Sequence, residues 1–273
     1  MNRRVDGHFA RKRFGQNFLT DERIIAAIVA AFAPVRGQNV VEIGPGLGAI
    51  TRELLAHLGR VQVVEVDRDL AATLPMRLLN DGELVVHEAD ALKFDFRSLA
   101  TGPHSLRVIG NLPYNISTPI LFHLLSQADV IADMTFMLQK EVVERMVAEP
   151  GNGDYGRLSI MLQYKCKVEW LLHVPPESFS PPPKVDSAVV RLTPYVTPRY
   201  TCIDESRLQQ VLTAAFNMRR KTLRNALKGM IPAEWLDDAG IDAGLRPEEV
   251  DVATWVALAN RLAAPAAGEH NPS

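Results

Sequence analysis

VVEIGPGLGAITREL, residues 40–54, runs from a near-continuous apolar β pattern through Gly44, Gly46 and Gly48 into a segment with helical spacing. Glycines between a buried strand and a helix let the backbone come close to a ligand where a side chain would intrude. The segment fits GxGxxA with Ala49 in the last place, and Glu65 follows about 20 residues later at the end of the next apolar run, where an acid binds ribose hydroxyls. Strand, glycines, helix and acid in that order specify a nucleoside cofactor without saying which one.

Outward from this motif the chain alternates apolar runs with helical segments. QNVVEIG (38–44), RVQVVEVD (60–67), ELVVHEAD (83–90), LRVIGNLP (106–113) and DMTFMLQK (133–140) are separated by stretches such as ITRELLAHL and TPILFHLLSQ. Near-continuous Val/Ile/Leu/Phe runs of this kind predict a mostly parallel sheet covered on both faces, hence an α/β fold. Two later runs, KVEWLLHVP (167–175) and VDSAVVRLTP (185–194), have only a proline-rich loop between them. The missing crossover helix predicts an antiparallel pair at one edge. The α/β domain is expected over residues 1–200, and a small all-α domain over 201–273, with Trp255, Leu258 and Leu262 on an apolar stripe and a frayed tail AAPAAGEHNPS.

A chain of 273 residues is long enough for one large and one small domain. It holds no apolar run near the roughly 20 residues that cross a bilayer, and the charged start MNRRVDGHFARKRF does not read as a signal peptide. The expected compartment is the cytoplasm, with no membrane partner. Cys166 and Cys202 have no CxxC spacing and the histidines no ligand pattern, so no disulfide and no metal are expected. The net charge of −2 hides a segregation. Residues 1–14 carry Arg3, Arg4, Arg11, Lys12 and Arg13 against Asp6, and residues 216–229 carry Arg219, Arg220, Lys221, Arg224 and Lys228 with no acid. These patches are +4 and +5, leaving −11 on the rest. Either alone reads as a solvated face; together they point to a polyanion.

The cofactor loop carries no basic residue before Arg52, whereas a diphosphate wants exposed amides and positive charge. Asp90, closing HEAD, adds an acid placed to accept from an adenine amino group. Glu65 and Asp90 together suit a cationic sulfonium, which favours S-adenosylmethionine over NAD. The exit of the fourth strand, GNLPYNIS (110–117), resembles the Asn/Asp-Pro-Pro-Tyr motif of methyltransferases that act on the exocyclic amine of adenine. By itself NLPY is a turn with a conformational proline; after a cofactor loop at this strand offset it reads as chemistry. The N6 lone pair is delocalised into the ring. If the Asn111 side-chain oxygen and the Leu112 carbonyl each accept one N6 hydrogen, the nitrogen can pyramidalise and aim its lone pair at a methyl group. Pro113 fixes the loop, and Tyr114 offers a ring for the base to stack on.

RFGQNFL (13–19), VVEIGPGLG (40–48), GNLPYNIS (110–117), QKEVVERMVAEPGNGDYGRLSIMLQ (139–163), FSPPPKVDSAV (179–189) and FNMRRKTLRN (216–225) occur in an order similar to that of the KsgA-type ribosomal RNA adenine dimethyltransferases, over nearly the whole chain. The resemblance implies a Rossmann-like class I methyltransferase sheet with a small helical domain. It also implies dimethylation of two adjacent adenosines in the 3′-terminal hairpin loop of 16S ribosomal RNA, with a preassembled small ribosomal subunit as the partner of a monomeric enzyme. By the same resemblance Asn17 and Leu19 close over the cofactor, Gly44 lines it, Glu65 holds the ribose, Asp90 holds the adenine, and Asn111 joins cofactor and target. Phe179 is implied as a second stacking ring. On residues alone, Phe14, Phe18 and Leu19 are an arm packed on the domain, and Phe179 is an apolar plug.

FNMRRKTLRNALKG also reads without the family. Phe216, Leu223, Leu227 and Met230 recur at near-helical spacing, with Arg220, Arg224 and Lys228 on another face, predicting one amphipathic helix that contacts phosphates. Two other functions stay open at this level: a factor that checks small-subunit assembly, which the same basic surfaces would serve, and an NAD-dependent dehydrogenase, which GxGxxA allows and NLPY disfavours. The large-subunit resistance methyltransferases share the core motifs. The FSPPPKVDSAV loop and RKTLRN incline the reading to the small-subunit enzyme.

Overall fold

The structure, a computed structural model, describes residues 17–263 and the backbone pairing of Arg4–Val5 with His8–Phe9. The basic side chains of the N-terminal run and residues 264–273 lie outside the described residues. Seven strands form one sheet: β1 Asn39–Ile43, β2 Arg60–Glu65, β3 Glu83–Glu88, β4 Leu106–Asn111, β5 Ile131–Gln139, β6 Cys166–Val174 and β7 Ser187–Pro194. Their order is β3-β2-β1-β4-β5-β7-β6. The β1–β2, β1–β4, β2–β3 and β4–β5 pairs are parallel, and β7 runs antiparallel to β5. The two late strands are neighbours as expected, but β7 is inserted between β5 and β6, so β6 takes the edge.

Helices α1 Glu22–Phe32, α2 Ala49–Leu58, α3 Arg68–Arg77 and α4 Ser117–Leu125 belong with this sheet. The Asp21 side chain caps α1 by accepting from the amides of Arg23 and Ile24. Ile28, Phe32, Leu54 and Leu55 from α1 and α2 are buried against Val61, Val63 and Ile109 of the strands. Burial on both faces is why β1 reads as a continuous apolar run. At Gly110, beside β1, an added Cβ would lie 2.5 Å from the Ile43 carbonyl oxygen, so the close approach of these strands requires glycine there.

The described chain divides into two compact units. The first holds the residues up to Val143 and Lys167–Val196; the second holds Glu144–Cys166 and everything from Thr197. This differs from a single break near residue 200. The second unit draws in the second half of α5, Lys140–Val147, and all of α6, Arg157–Lys165, because α6 buries Ile160 and Met161 in a cluster with Leu208, Val211 and Leu212 of α7, Glu205–Asn217. Tyr155, Leu223, Leu227 and Trp255 also lie in that core, Trp255 on the helix Val252–Ala263.

The single amphipathic helix expected over 216–230 is broken. Helix α7 stops at Asn217, Lys221 N donates to the Met218 carbonyl in a turn, and a short helix α8, Leu223–Ala226, starts after Thr222. The first amides of α8, Leu223 N and Arg224 N, donate to the Leu245 and Ala243 carbonyls at 2.7 and 3.1 Å. Those donors are satisfied by a distant loop, so the helix can restart without continuity. Apolar periodicity survives the break because Leu223 and Leu227 still face the core.

Candidate active site

The site lies at the carboxyl ends of β1, β2, β3 and β4, where open α/β sheets place ligands. It is a pocket with about 1040 Å³ of empty space, counting the solvent at its open mouth. Asn17, Leu19, Gly44, Glu65, Asp90, Asn111, Leu112, Tyr114 and Phe179, all expected from sequence, line it together.

The glycine loop is left-handed at Gly44, Gly46 and Gly48, with φ of 66°, 58° and 85°. At Gly44 the need is conformational and local, since a Cβ there would come no nearer than 3.9 Å to the Asn111 carbonyl. At Gly48 it is also steric, since a Cβ would meet Leu74 Cδ1 at 2.9 Å where α2 begins. Gly46 N donates to Glu65 Oε2 at 3.3 Å, and Asp67 N donates to Glu65 Oε1 at 2.8 Å. The amide that a diphosphate would need is thus already committed to a carboxylate. Glu65 is 5% exposed. Burial pushes its carboxyl above the ordinary range, and the two amide donors pull it back. Asp90 accepts from Leu92 N at 3.0 Å, which holds the carboxylate at the rim of the pocket.

Glu42 also lines the pocket and was not among the expected residues. It is 2% exposed, and Thr51 Oγ1 donates to its Oε2 at 2.6 Å. Burial, reinforced by the charge of Glu65 and opposed by the Thr51 bond, pushes its pKa up to about 8. An acid inside the otherwise apolar run VVEIG was the available signal.

Asn111 ends β4, and its Nδ2 donates to the Asn17 carbonyl at 3.2 Å. With the nitrogen end of the planar amide engaged, Oδ1 is the end left to accept a hydrogen from a ligand. Asn17 is held in place by the segment after it. Phe18–Leu19 pairs antiparallel with Phe179–Ser180, Leu19 opposite Phe179, and Thr20 N and Asp21 N both donate to the Ser178 carbonyl. Asn17–Leu19 and Phe179–Ser180, far apart in sequence, therefore meet at the mouth of the pocket. Leu112 is buried and its amide donates to the Met137 carbonyl at 3.2 Å. Tyr114 is half-buried with its hydroxyl 2.8 Å from Ser187 Oγ, and Phe179 is 4% exposed.

The expected basic residues lie in the second unit. Arg219 is engaged internally: its guanidinium donates to the Gly153 carbonyl and lies 3.6 Å from Glu248. Arg220, Lys221, Arg224 and Lys228 are exposed. Arg220 lies in the turn, Arg224 on α8 and Lys228 beyond it, so they do not share one helix face.

The strand order, the glycine loop with its buried acids and the Asn-Leu-Pro-Tyr exit define an S-adenosylmethionine-dependent methyltransferase of the α/β class. The family model described as Ribosomal RNA adenine dimethylase matches residues 7–264. The chain belongs to that family, and its methyl donor is S-adenosylmethionine. It is 56% identical over 260 residues to a Ribosomal RNA small subunit methyltransferase A of Alcanivorax borkumensis, covering 95% of this chain and 92% of that protein. A protein of the same name from Dechloromonas aromatica is 56% identical over 258 residues, 94% of this chain and 100% of that one. Among solved structures, a dimethyladenosine transferase from Plasmodium falciparum has a TM-score of 0.75 at 28% identity, covering 88% of this chain and 95% of that one. The 23S rRNA methyltransferase ErmE has a TM-score of 0.70 at 30% identity, covering 91% and 100%. Among the described residues no helix is long and apolar enough to cross a membrane.

Proposed function

We propose that this chain dimethylates N6 of two adjacent adenosines in the 3′-terminal hairpin loop of 16S ribosomal RNA during small-subunit biogenesis, acting as a monomer in the cytoplasm on a preassembled small subunit. The observation that carries the reading is Asn111, whose amide is oriented by the Asn17 carbonyl inside a pocket that also holds two aromatic rings. The structural likeness to a 23S rRNA methyltransferase does not separate the two ribosomal subunits; the names and near-complete coverage of the relatives at 56% identity support the small one.

Bound S-adenosylmethionine supplies a methyl group on a sulfonium sulfur. Glu65 and Asp90 hold its ribose and adenine, while Asn17 and Leu19 cover it. Glu65 and Asp90 favour its positive charge. Asn111 Oδ1 and the Leu112 carbonyl accept the two N6 hydrogens of the unmodified target, drawing both to one side so that the lone pair faces the methyl carbon. After each transfer the cationic nitrogen sheds one proton to solvent, and in the second transfer the single remaining hydrogen keeps one of the two acceptors. As acceptors fixed in advance, they stabilise the positive charge that develops on N6 without reorganising. Tyr114 and Phe179 hold the extruded base by stacking, each contact worth roughly 1–3 kcal/mol, which offsets its removal from the RNA stack. The exposed Arg220, Lys221, Arg224 and Lys228 place RNA by its phosphates, whereas Arg219, expected among them, is engaged by Gly153 and Glu248 of its own unit.

Methyl transfer from labelled S-adenosylmethionine tests this with small-subunit particles that lack the modification, using large subunits and naked RNA as controls. Label is expected on the small-subunit particles alone. Its absence there overturns the proposal.

A further inference from the structure

Tyr114 sits in a turn closed by Ile116 N donating to the Pro113 carbonyl at 3.1 Å, outside the regular hydrogen bonding of the sheet. A ring borne on such a turn needs an external reference to present a fixed face. Ser187 supplies one: its Oγ is 2.8 Å from the Tyr114 hydroxyl. Ser187 opens β7 and pairs with Gln139 of β5 in the interior of the seven-stranded sheet, and the adjacent Asp186 carbonyl accepts from Lys140 N at 2.9 Å. It is 0% exposed. A hydroxyl at a site so closed costs roughly 1–3 kcal/mol if it lacks a partner, and the phenol is that partner. Burial holds the phenol above its ordinary pKa, so it remains a neutral hydroxyl able to share this bond.

We propose that Ser187 is a positioning residue for methyl transfer, fixing the ring of Tyr114 through their hydroxyl pair so that the target adenine meets a preset stacking face. The inference rests on the reading of Tyr114 as a stacking ring. Its consequence is kinetic. A misplacement of about 1 Å in a reacting group can cost on the order of 10²-fold in rate, and a base held by a swivelling ring is presented to the methyl group less often in the correct geometry. Cofactor binding does not involve this bond.

The test compares Tyr114→Phe, Ser187→Ala, the double variant and Ser187→Thr, measuring methyl transfer to small-subunit particles and S-adenosylmethionine affinity by titration. Each of the first two should lower kcat/KM about tenfold, with most of the loss in kcat. The double variant should be no worse than either single one. Ser187→Thr, which keeps the hydroxyl, should retain most of the activity, and cofactor affinity should stay within about twofold of the parent throughout. Wild-type kcat/KM in both single variants, or losses that multiply in the double variant, overturns the proposal. If Ser187→Ala fails to fold, Tyr114→Phe, which removes one oxygen from a half-buried ring, decides the matter alone. Tyr114→Ala separates the two levels. Full activity in that variant overturns the stacking reading, whereas loss there with full activity in Tyr114→Phe and Ser187→Ala overturns only the role of Ser187.

Discussion

The cofactor pocket and the basic stretch from Arg219 to Lys228 hold their ionisable groups in opposite ways. In the pocket, Glu42 and Glu65 are almost fully out of water, Glu42 held by a hydrogen bond from Thr51 and Glu65 by two, from Gly46 and Asp67. In the basic stretch four of the five cations are exposed, and only Arg219 is bound to its own chain. A buried group interacts with little screening, so one change there is felt in full. Exposed cations are screened and act as a group, so changing one is mild and changing several is cumulative.

The largest expected effect belongs to the buried side. Asn111→Ala removes the acceptor proposed for the target N6 and should lower kcat by about 10²–10³-fold, with particle binding nearly unchanged; rapid-quench methyl transfer and a binding titration measure the two. Gly110→Ala comes next. Its Cβ would lie 2.5 Å from the Ile43 carbonyl oxygen, forcing β1 and β4 apart just before Asn111, so a loss of about 1–3 kcal/mol in stability by urea unfolding is expected.

On the exposed side, reversing Arg220, Arg224 and Lys228 to Glu together should weaken particle binding and reduce the slope of log affinity against log salt by about one for each phosphate no longer neutralised. Arg219→Ala sharpens the contrast. It should leave the salt slope alone and lower the stability of the second unit instead, because its partners are Gly153 and Glu248. An Arg219→Ala protein with a reduced slope and unchanged thermal unfolding would erase the distinction between held and free cations.

The last effect concerns Glu42 and is read as a pH dependence of stability. Its carboxyl titrates near 4.5 when unfolded and at about 8 when folded. The folded state therefore keeps a proton that the unfolded state has lost. The stability contributed by this group is fully present below pH 4.5 and declines as pH rises to about 8. Glu42→Gln, which stays uncharged at every pH, should flatten that part of a plot of unfolding free energy against pH. An unaltered plot between pH 5 and 8 would show that Glu42 is ionised in the folded protein.

The same contrast explains how much was legible in the chain itself. Strands β1, β2, β4 and β5 are marked by apolar runs because both faces are covered, and the glycines mark the loop because positive φ leaves few other residues available. The acceptors and the ring at 111–114 follow from the chemistry of an adenine amine. What was hidden depends on distant backbone. The two-residue pairing of Leu19 with Phe179 is too short to leave a periodic trace, yet it brings Asn17 to Asn111. The restart at Thr222 depends on carbonyls near residue 244, so the basic residues read as one helix face when they are not. Helix α6 lies in sequence between two strands of the sheet, and only its packing against Leu208 and Leu212 reveals that it belongs to the second unit.

The family and the relatives point to one reaction, methylation of the exocyclic nitrogen of adenine in small-subunit ribosomal RNA. Its direct measurement is nucleoside analysis of hypomodified small-subunit particles after incubation with S-adenosylmethionine and either the parent protein or Asn111→Ala. The parent should produce N6,N6-dimethyladenosine at two adjacent positions, and the variant next to none. Methyl groups on ribose, on a ring nitrogen or on cytosine, or equal yields from both proteins, would contradict that assignment.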